Sequence, residues 1–245
     1  MAVNSIDPII LTNGILSLIF VIIAIIIGIK IDSKYFKYKQ KTLLYVGTTW
    51  ILIVSIWYSS SISVLLILTT GQGLSDELYM LIGNVLLPIA LFIWMIAFTD
   101  LACKEYQKLI LIFFGIYVIL FEIYFIYFII TDISVLGEVV SPVDATYGPV
   151  VTACQLFDIL TLVTTGIILS KISLKSETKE IKLKGKLLLI SFISVLFGVT
   201  LELVSHLSII ILVSARIVLV FCSIMYYGGF ILPNWMKKLF LRKTE

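Results

Sequence analysis

Charged residues in this chain cluster between long apolar stretches. Between Asp7 and Lys30 lie 22 residues without a charge, and a helix rising about 1.5 Å per residue needs roughly 20 to cross the hydrocarbon core of a bilayer. A transmembrane helix is therefore predicted over about 9–29. The run is too long for the apolar core of a secretory leader, follows no basic segment and shows no A-x-A cleavage pattern, so it is expected to stay in the mature protein. The same pattern predicts helices over about 43–68 and 78–99, with Gly71, Gly73, Asp76 and Glu77 in the turn between them. A fourth helix is expected over 109–131, interrupted only by Glu122. A fifth is expected over 149–170, opening on Pro149, a favourable first-turn residue, and enclosing Asp158.

The last apolar region, 187–236, has only Glu202, His206 and Arg216 as ionisable groups, and its 50 residues are far too many for one crossing. It must fold back. Neither Gly nor Pro marks the turn, so length and polarity place it near His206 to Ser208, giving helices over about 187–206 and 209–232.

The placement of basic residues tests this count. Of 18, five lie in 30–41, two in 104–108, six in 171–186 and four in 237–243, leaving only Arg216 elsewhere, while 1–8, 69–77 and 132–148 have none. Seven crossings with the N-terminus outside and the C-terminus in the cytoplasm put all four basic segments inside, as the positive-inside rule requires. One crossing over 187–236 would strand Lys237, Lys238, Arg242 and Lys243 outside. The expected fold is thus an all-α membrane protein, a single seven-transmembrane-helix bundle over 1–245, located in the cell membrane. Segment 132–148 reads as an outside loop. The mixed charges of 171–186 suit helical extensions of helices five and six. Residues 234–243 read as an amphipathic helix on the inner interface or as a frayed basic tail. No internal repeat is visible.

Composition agrees: 60% of residues are hydrophobic, 13% are charged and the mean hydropathy is +1.14. That is about half the charge of an ordinary soluble domain, which excludes disorder, coiled coil and nucleic-acid binding. The three cysteines, Cys103, Cys154 and Cys222, are matched neither in depth nor by position in an outside loop, so no disulfide is expected.

Ionisable residues inside a membrane span are costly and mark functional sites by default. Four are expected here. Glu122 and Asp158 fall near mid-membrane, and Glu202 and Arg216 fall in the outer half, so the four could share one cavity. Polar stripes support inward directions: Ser191, Ser194, Gly198, Glu202 and Ser205 on helix six, and Gln155, Asp158, Thr161 and Thr165 on helix five. Asn13, Ser17 and Asn84 add hydrogen-bonding groups toward the outside. Bland readings stand beside these. Glu202 and Arg216 form a structural ion pair pinning helices six and seven, which explains both without a ligand. Small and hydroxyl stripes serve helix packing. Asp158 and Glu122 have no basic partner at their depth, and each has a bland account as a neutral carboxyl hydrogen-bonded to Tyr or Thr. His206 is more often an interface residue than a ligand. Tyr117, Tyr124 and Tyr127 share a face turned away from Glu122, toward lipid or a neighbouring helix.

No lysine falls within a span, which excludes a retinal Schiff base. One histidine, no HExxH and scattered cysteines give no metal site, and no phosphate-binding or nucleophile motif is present, so neither cofactor nor enzymatic activity is expected. The topology resembles that of G-protein-coupled receptors, but helix three ends Thr99-Asp100-Leu101 where they carry an acidic-Arg-aromatic triplet, and NPxxY is absent. The runs SPVDATYGP, LKGKLLLISF and GGFILPNWMKKLF resemble uncharacterised archaeal seven-helix proteins. These are similar in layout to the seven-helix sensing regions ahead of prokaryotic histidine kinases. This chain stops at Glu245 with no kinase, so that resemblance implies sensing with the output on a separate cytoplasmic partner. The leading expectation is a receptor-like or sensory module that binds a small molecule or lipid through Asp158, Glu202, Arg216, Glu122, Gln155, His206 and Asn84. The alternatives are a transporter of a small solute or protons, with Glu122 and Asp158 as midplane carboxyls, and a structural membrane subunit.

Overall fold

A computed structural model describes residues 8–204 and 208–241. Among them are seven helices long and apolar enough to cross a membrane: α1 (Pro8–Tyr38), α2 (Lys41–Thr70), α3 (Asp76–Ala102), α4 (Lys104–Thr131), α5 (Pro149–Leu174), α6 (Lys179–Leu203) and α7 (Ile209–Ile231). The chain is a multi-pass membrane protein. A short helix, α8 (Asn234–Phe240), and a two-stranded antiparallel sheet, β1 (Gly137–Ser141) with β2 (Asp144–Tyr147), complete it. One end of the bundle carries the hairpin; the opposite, basic end carries the turn at 175–178 and α8.

Three helices depart from regular geometry. In α2, residues Val54–Trp57 wind as a 3-10 turn, and the Ile51 carbonyl accepts a 2.5 Å hydrogen bond from the Tyr58 hydroxyl. Such tightening changes the direction in which the following side chains leave the helix. In α3 the helix breaks at Val85, between Asp76–Asn84 and Leu86–Ala102. Pro88 explains this, because it has no N–H for the Asn84 carbonyl four residues back and its ring crowds that carbonyl. α1 is interrupted at Ser33, beyond Asp32.

The expected outside loop 132–148 contains the hairpin, which the sequence reading did not anticipate. A hairpin this short does not hold in isolation. It is clamped from both ends: Leu136 at its base packs with Met80, Phe121, Phe125 and Val151, and Val143 at its tip packs with Val64 and Ile67. The Ser60 hydroxyl donates to the Val143 carbonyl at 2.8 Å. Gly137 has φ +144°, and a Cβ there would strike the Thr146 carbonyl across the ladder, so only glycine fits.

Toward the basic end, aromatic rings fill the core. Trp50 stacks on Tyr226 at 4.1 Å between centroids, and Trp94 meets Phe192 at 5.5 Å and Phe230 at 6.4 Å. Gly166 lets the Phe192 ring of α6 lie against the α5 backbone, where a Cβ would collide with it. α4 is peripheral and buries only Phe114, Phe121 and Phe125 along its length. In α8, Met236 is buried with Leu183, Leu187 and Leu232, Lys237 pairs with Glu180 at 2.7 Å, and Trp235, Leu239 and Phe240 remain exposed.

Candidate binding cavity

Arg216 lies on α7 about 10 Å along the helix from its hairpin end, with its side chain 4% exposed. A guanidinium taken out of water must find fixed partners, and three other helices supply them. Nη1 donates to Glu202 Oε2 on α6 at 2.7 Å. Nη2 donates to Asn13 Oδ1 at 2.8 Å and Ser17 Oγ at 3.0 Å on α1. On α2, the Trp57 ring lies 5.7 Å from the guanidinium carbon, with its indole beside Glu202. Arg216 Nε is buried and has no partner among the described residues. The helix two tightening at Val54–Trp57 immediately precedes this cluster and ends on Trp57.

Beside the network lies a cavity of about 580 Å³, within the size range of small-molecule sites. Its walls come from α1, α2, α3, α5, α6, α7 and the hairpin; α4 does not reach it. At the hairpin end lie its polar groups, Asn13, Ser60, Tyr79, Asp144, Thr146, Gln155, Glu202 and Arg216, alongside apolar Val140, Val143, Ala145 and Leu203. Farther in it becomes apolar, with Phe20, Leu87, Leu162, Val195 and Leu219, and it ends near Trp50 and Cys222, where the aromatic core begins. The hairpin forms its roof. Ser60 shares a 2.8 Å hydrogen bond with the Tyr79 hydroxyl, and Ser59 donates to the Tyr79 carbonyl at 2.5 Å. Asp144 Oδ1 accepts from the Ala145 N–H at 3.0 Å. Tyr147, between the roof and Asn84, has its phenol pushed up to about 12 by burial.

The candidate residues divide. Glu202, Arg216 and Gln155 line the cavity. Asn84 lies just behind Gln155, accepting its amide at 2.8 Å and donating to the Met80 carbonyl at 2.8 Å. Asp158 and Glu122, expected to share the cavity with the ion pair, do not line it. The cavity takes the face of α5 defined by Gln155, Leu156, Ile159 and Leu162, and Asp158 is turned about 60° from Gln155, toward α4. It is 1% exposed and accepts a 2.7 Å hydrogen bond from Tyr117. Tyr117 thus does meet a neighbouring helix, but by way of the acid that the sequence reading had aimed inward. Glu122 is half-buried on α4, and its Oε1 has no hydrogen-bond partner among the described residues. His206 lies outside the described residues. The three cysteines are free.

The sequence reading missed Trp57, Tyr79, Ser60 and the hairpin roof. A run of three serines, Ser59-Ser60-Ser61, inside an apolar helix was the one available signal. Compared with protein families, curated proteins and solved structures, the chain matches none.

Proposed function

We propose that this protein is a receptor-like seven-helix module that binds a small molecule or lipid in the roofed cavity, with its N-terminus and hairpin outside the cell membrane. The observation carrying this reading is the 580 Å³ cavity itself, polar at the roof and apolar below, with a buried guanidinium on its wall. The side chains lining its exposed rim are at the hairpin end, while the packed rings of Trp50, Tyr226, Trp94 and Phe192 occupy the core toward the basic end. Access from one end suits binding better than passage through the bundle. Placing the hairpin outside follows from charge: the basic residues of 171–186 and α8 lie at the other end, and lysines favour the cytoplasmic side. Output to a cytoplasmic partner would then leave through the α5–α6 turn and α8, where Lys175, Lys237 and Lys238 lie. The three quoted segments resemble archaeal seven-helix proteins, which are similar in layout to seven-helix sensing regions, and that resemblance points the same way.

Native mass spectrometry of the protein released from nanodiscs tests this. One retained molecule per chain is expected for the wild type and none for Val199→Phe, which fills the cavity from α6. No retained mass in the folded wild type, or equal retention in both, would leave a structural subunit as the better account.

A further inference from the structure

We propose that α8 is a docking element for an anionic lipid surface: Trp235 and Leu239 enter the headgroup zone, and Lys238 meets the lipid phosphates. This surface lies at the opposite end of the bundle from the cavity and does not depend on what the cavity binds.

The chain fixes its level. The 23 residues of α7 rise about 35 Å, slightly more than the roughly 30 Å of a hydrocarbon core, so α7 ends at the interface. Only Leu232 and Pro233 separate it from α8. Leu232 is buried with φ +49°, a left-handed conformation that a residue other than glycine keeps only where its surroundings hold it. Its N–H bonds the Gly228 carbonyl at 2.9 Å. Beyond this turn, Met236 seats on Gly228, where a Cβ would strike its sulfur, and the Lys237–Glu180 pair joins α8 to α6. α8 is thereby held at the interface.

Its faces are unequal. At about 100° per residue, Trp235 and Leu239 lie about 40° apart on one flank of the line through Met236, and Lys238 follows about 60° beyond Trp235. Phe240 extends the apolar arc on the other side of Met236. Trp235 and Leu239 are 52% and 62% exposed. A tryptophan at this level sits among headgroups, and an apolar flank bordered by lysine is the pattern of a helix that rests on a bilayer. Lys238 is exposed and pairs with no carboxylate among the described residues.

Charge selects the lipid. Segment 171–186 and α8 together carry eight lysines against two glutamates, Glu177 and Glu180, and Glu180 is already paired with Lys237. Such an excess draws anionic headgroups, each lysine near the surface strengthening attachment about fivefold. A neutral lipid surface takes up Trp235 and Leu239 without this gain.

The test uses the full chain in nanodiscs, free of cysteine except for Leu239→Cys, which carries the apolar fluorophore NBD in place of the leucine. The lipid is phosphatidylcholine, alone or with phosphatidylglycerol in rising proportion. Acrylamide, an uncharged quencher, should reach the label at least about threefold less efficiently in the richest phosphatidylglycerol mixture than in phosphatidylcholine. High salt should abolish the difference. Lys238→Gln should raise the proportion of phosphatidylglycerol needed and Lys238→Arg should restore it, both at an unchanged unfolding temperature. Equal quenching at every lipid composition would overturn the proposal and leave the apolar flank to a protein partner. A lipid dependence that Lys238→Gln leaves unchanged, or that persists in high salt, would overturn the electrostatic docking of α8.

Discussion

Removing either partner of the Glu202–Arg216 pair should destabilise the bundle, and the two removals should differ. Breaking a buried ion pair from one side costs about 3–5 kcal/mol, because it strands a charge without compensation. Glu202→Leu strands Arg216, which is 4% exposed and, among the described residues, keeps as direct partners the neutral Asn13 and Ser17 acceptors and the Trp57 face. Its cost belongs near the top of that range. Arg216→Leu strands Glu202, whose side chain is 25% exposed and can be hydrated, so its cost belongs near the bottom. The double Leu variant strands no charge and should be more stable than Glu202→Leu alone, with a coupling energy of at least about 2 kcal/mol. Steric-trap unfolding in bicelles measures all four forms on one scale. Additivity of the two single costs to within about 0.5 kcal/mol, or a larger cost for Arg216→Leu, would refute the reasoning.

Three further outcomes are expected. Tyr117→Phe should cost about 1–3 kcal/mol by leaving the buried Asp158 carboxyl without its donor, and adding Asp158→Leu should recover most of that in the same unfolding assay. In a cysteine-free background, Glu138→Cys on the hairpin should react with an impermeant maleimide on intact cells and Lys175→Cys only after permeabilisation; the reverse pattern would place the hairpin in the cytoplasm. Burial raises the Tyr147 phenol from an ordinary 10 to about 12, so the unfolded chain loses this proton first as pH rises. Its contribution to stability is complete below about pH 10 and lost between about pH 10 and 12, so over that window the wild type should lose more stability than Tyr147→Phe.

The helices were legible because their signal is long and redundant: twenty or so uncharged residues between charge clusters admit few readings, and the basic clusters alternate with segments that lack them. Local deviations were less legible. Pro88 was visible as the one mid-span proline, and the break it imposes at Val85 follows from its missing N–H. The 3-10 turn at Val54–Trp57 has no comparable marker. The hairpin is built from two strands of five and four residues, too short for alternation to stand out, and depends on Leu136 and Val143 finding pockets in helices distant in sequence. At the site, pairing Glu202 with Arg216 needed only depth and adjacency of the helices. Asp158 was placed in the cavity because it shares a polar stripe with Gln155, but that stripe is broad: a rotation of about 60° on α5 separates Gln155 on the cavity wall from Asp158 on the face toward α4.

The two polar clusters within the bundle therefore do different work. Asp158 and Tyr117 join α5 to α4, a helix that also buries three phenylalanines and hydrogen-bonds α3 through Gln107; Asp158 does not line the roofed cavity, and Tyr117 borders an open apolar surface groove with Phe113 and Phe157. The Arg216 cluster draws on four helices and still borders open volume. The cavity opens at its rim, and its lining decides what can fill it. Water can do so under the roof, where Ser60, Tyr79, Asp144 and Gln155 give it partners, but each buried water needs about two to four such groups. Along Phe20, Leu87, Leu162, Val195 and Leu219 they are missing. The lower part of the cavity is thus suited to hydrocarbon and the upper part to polar or hydrated groups, which is the pairing that the proposed binding of a small molecule or lipid calls for.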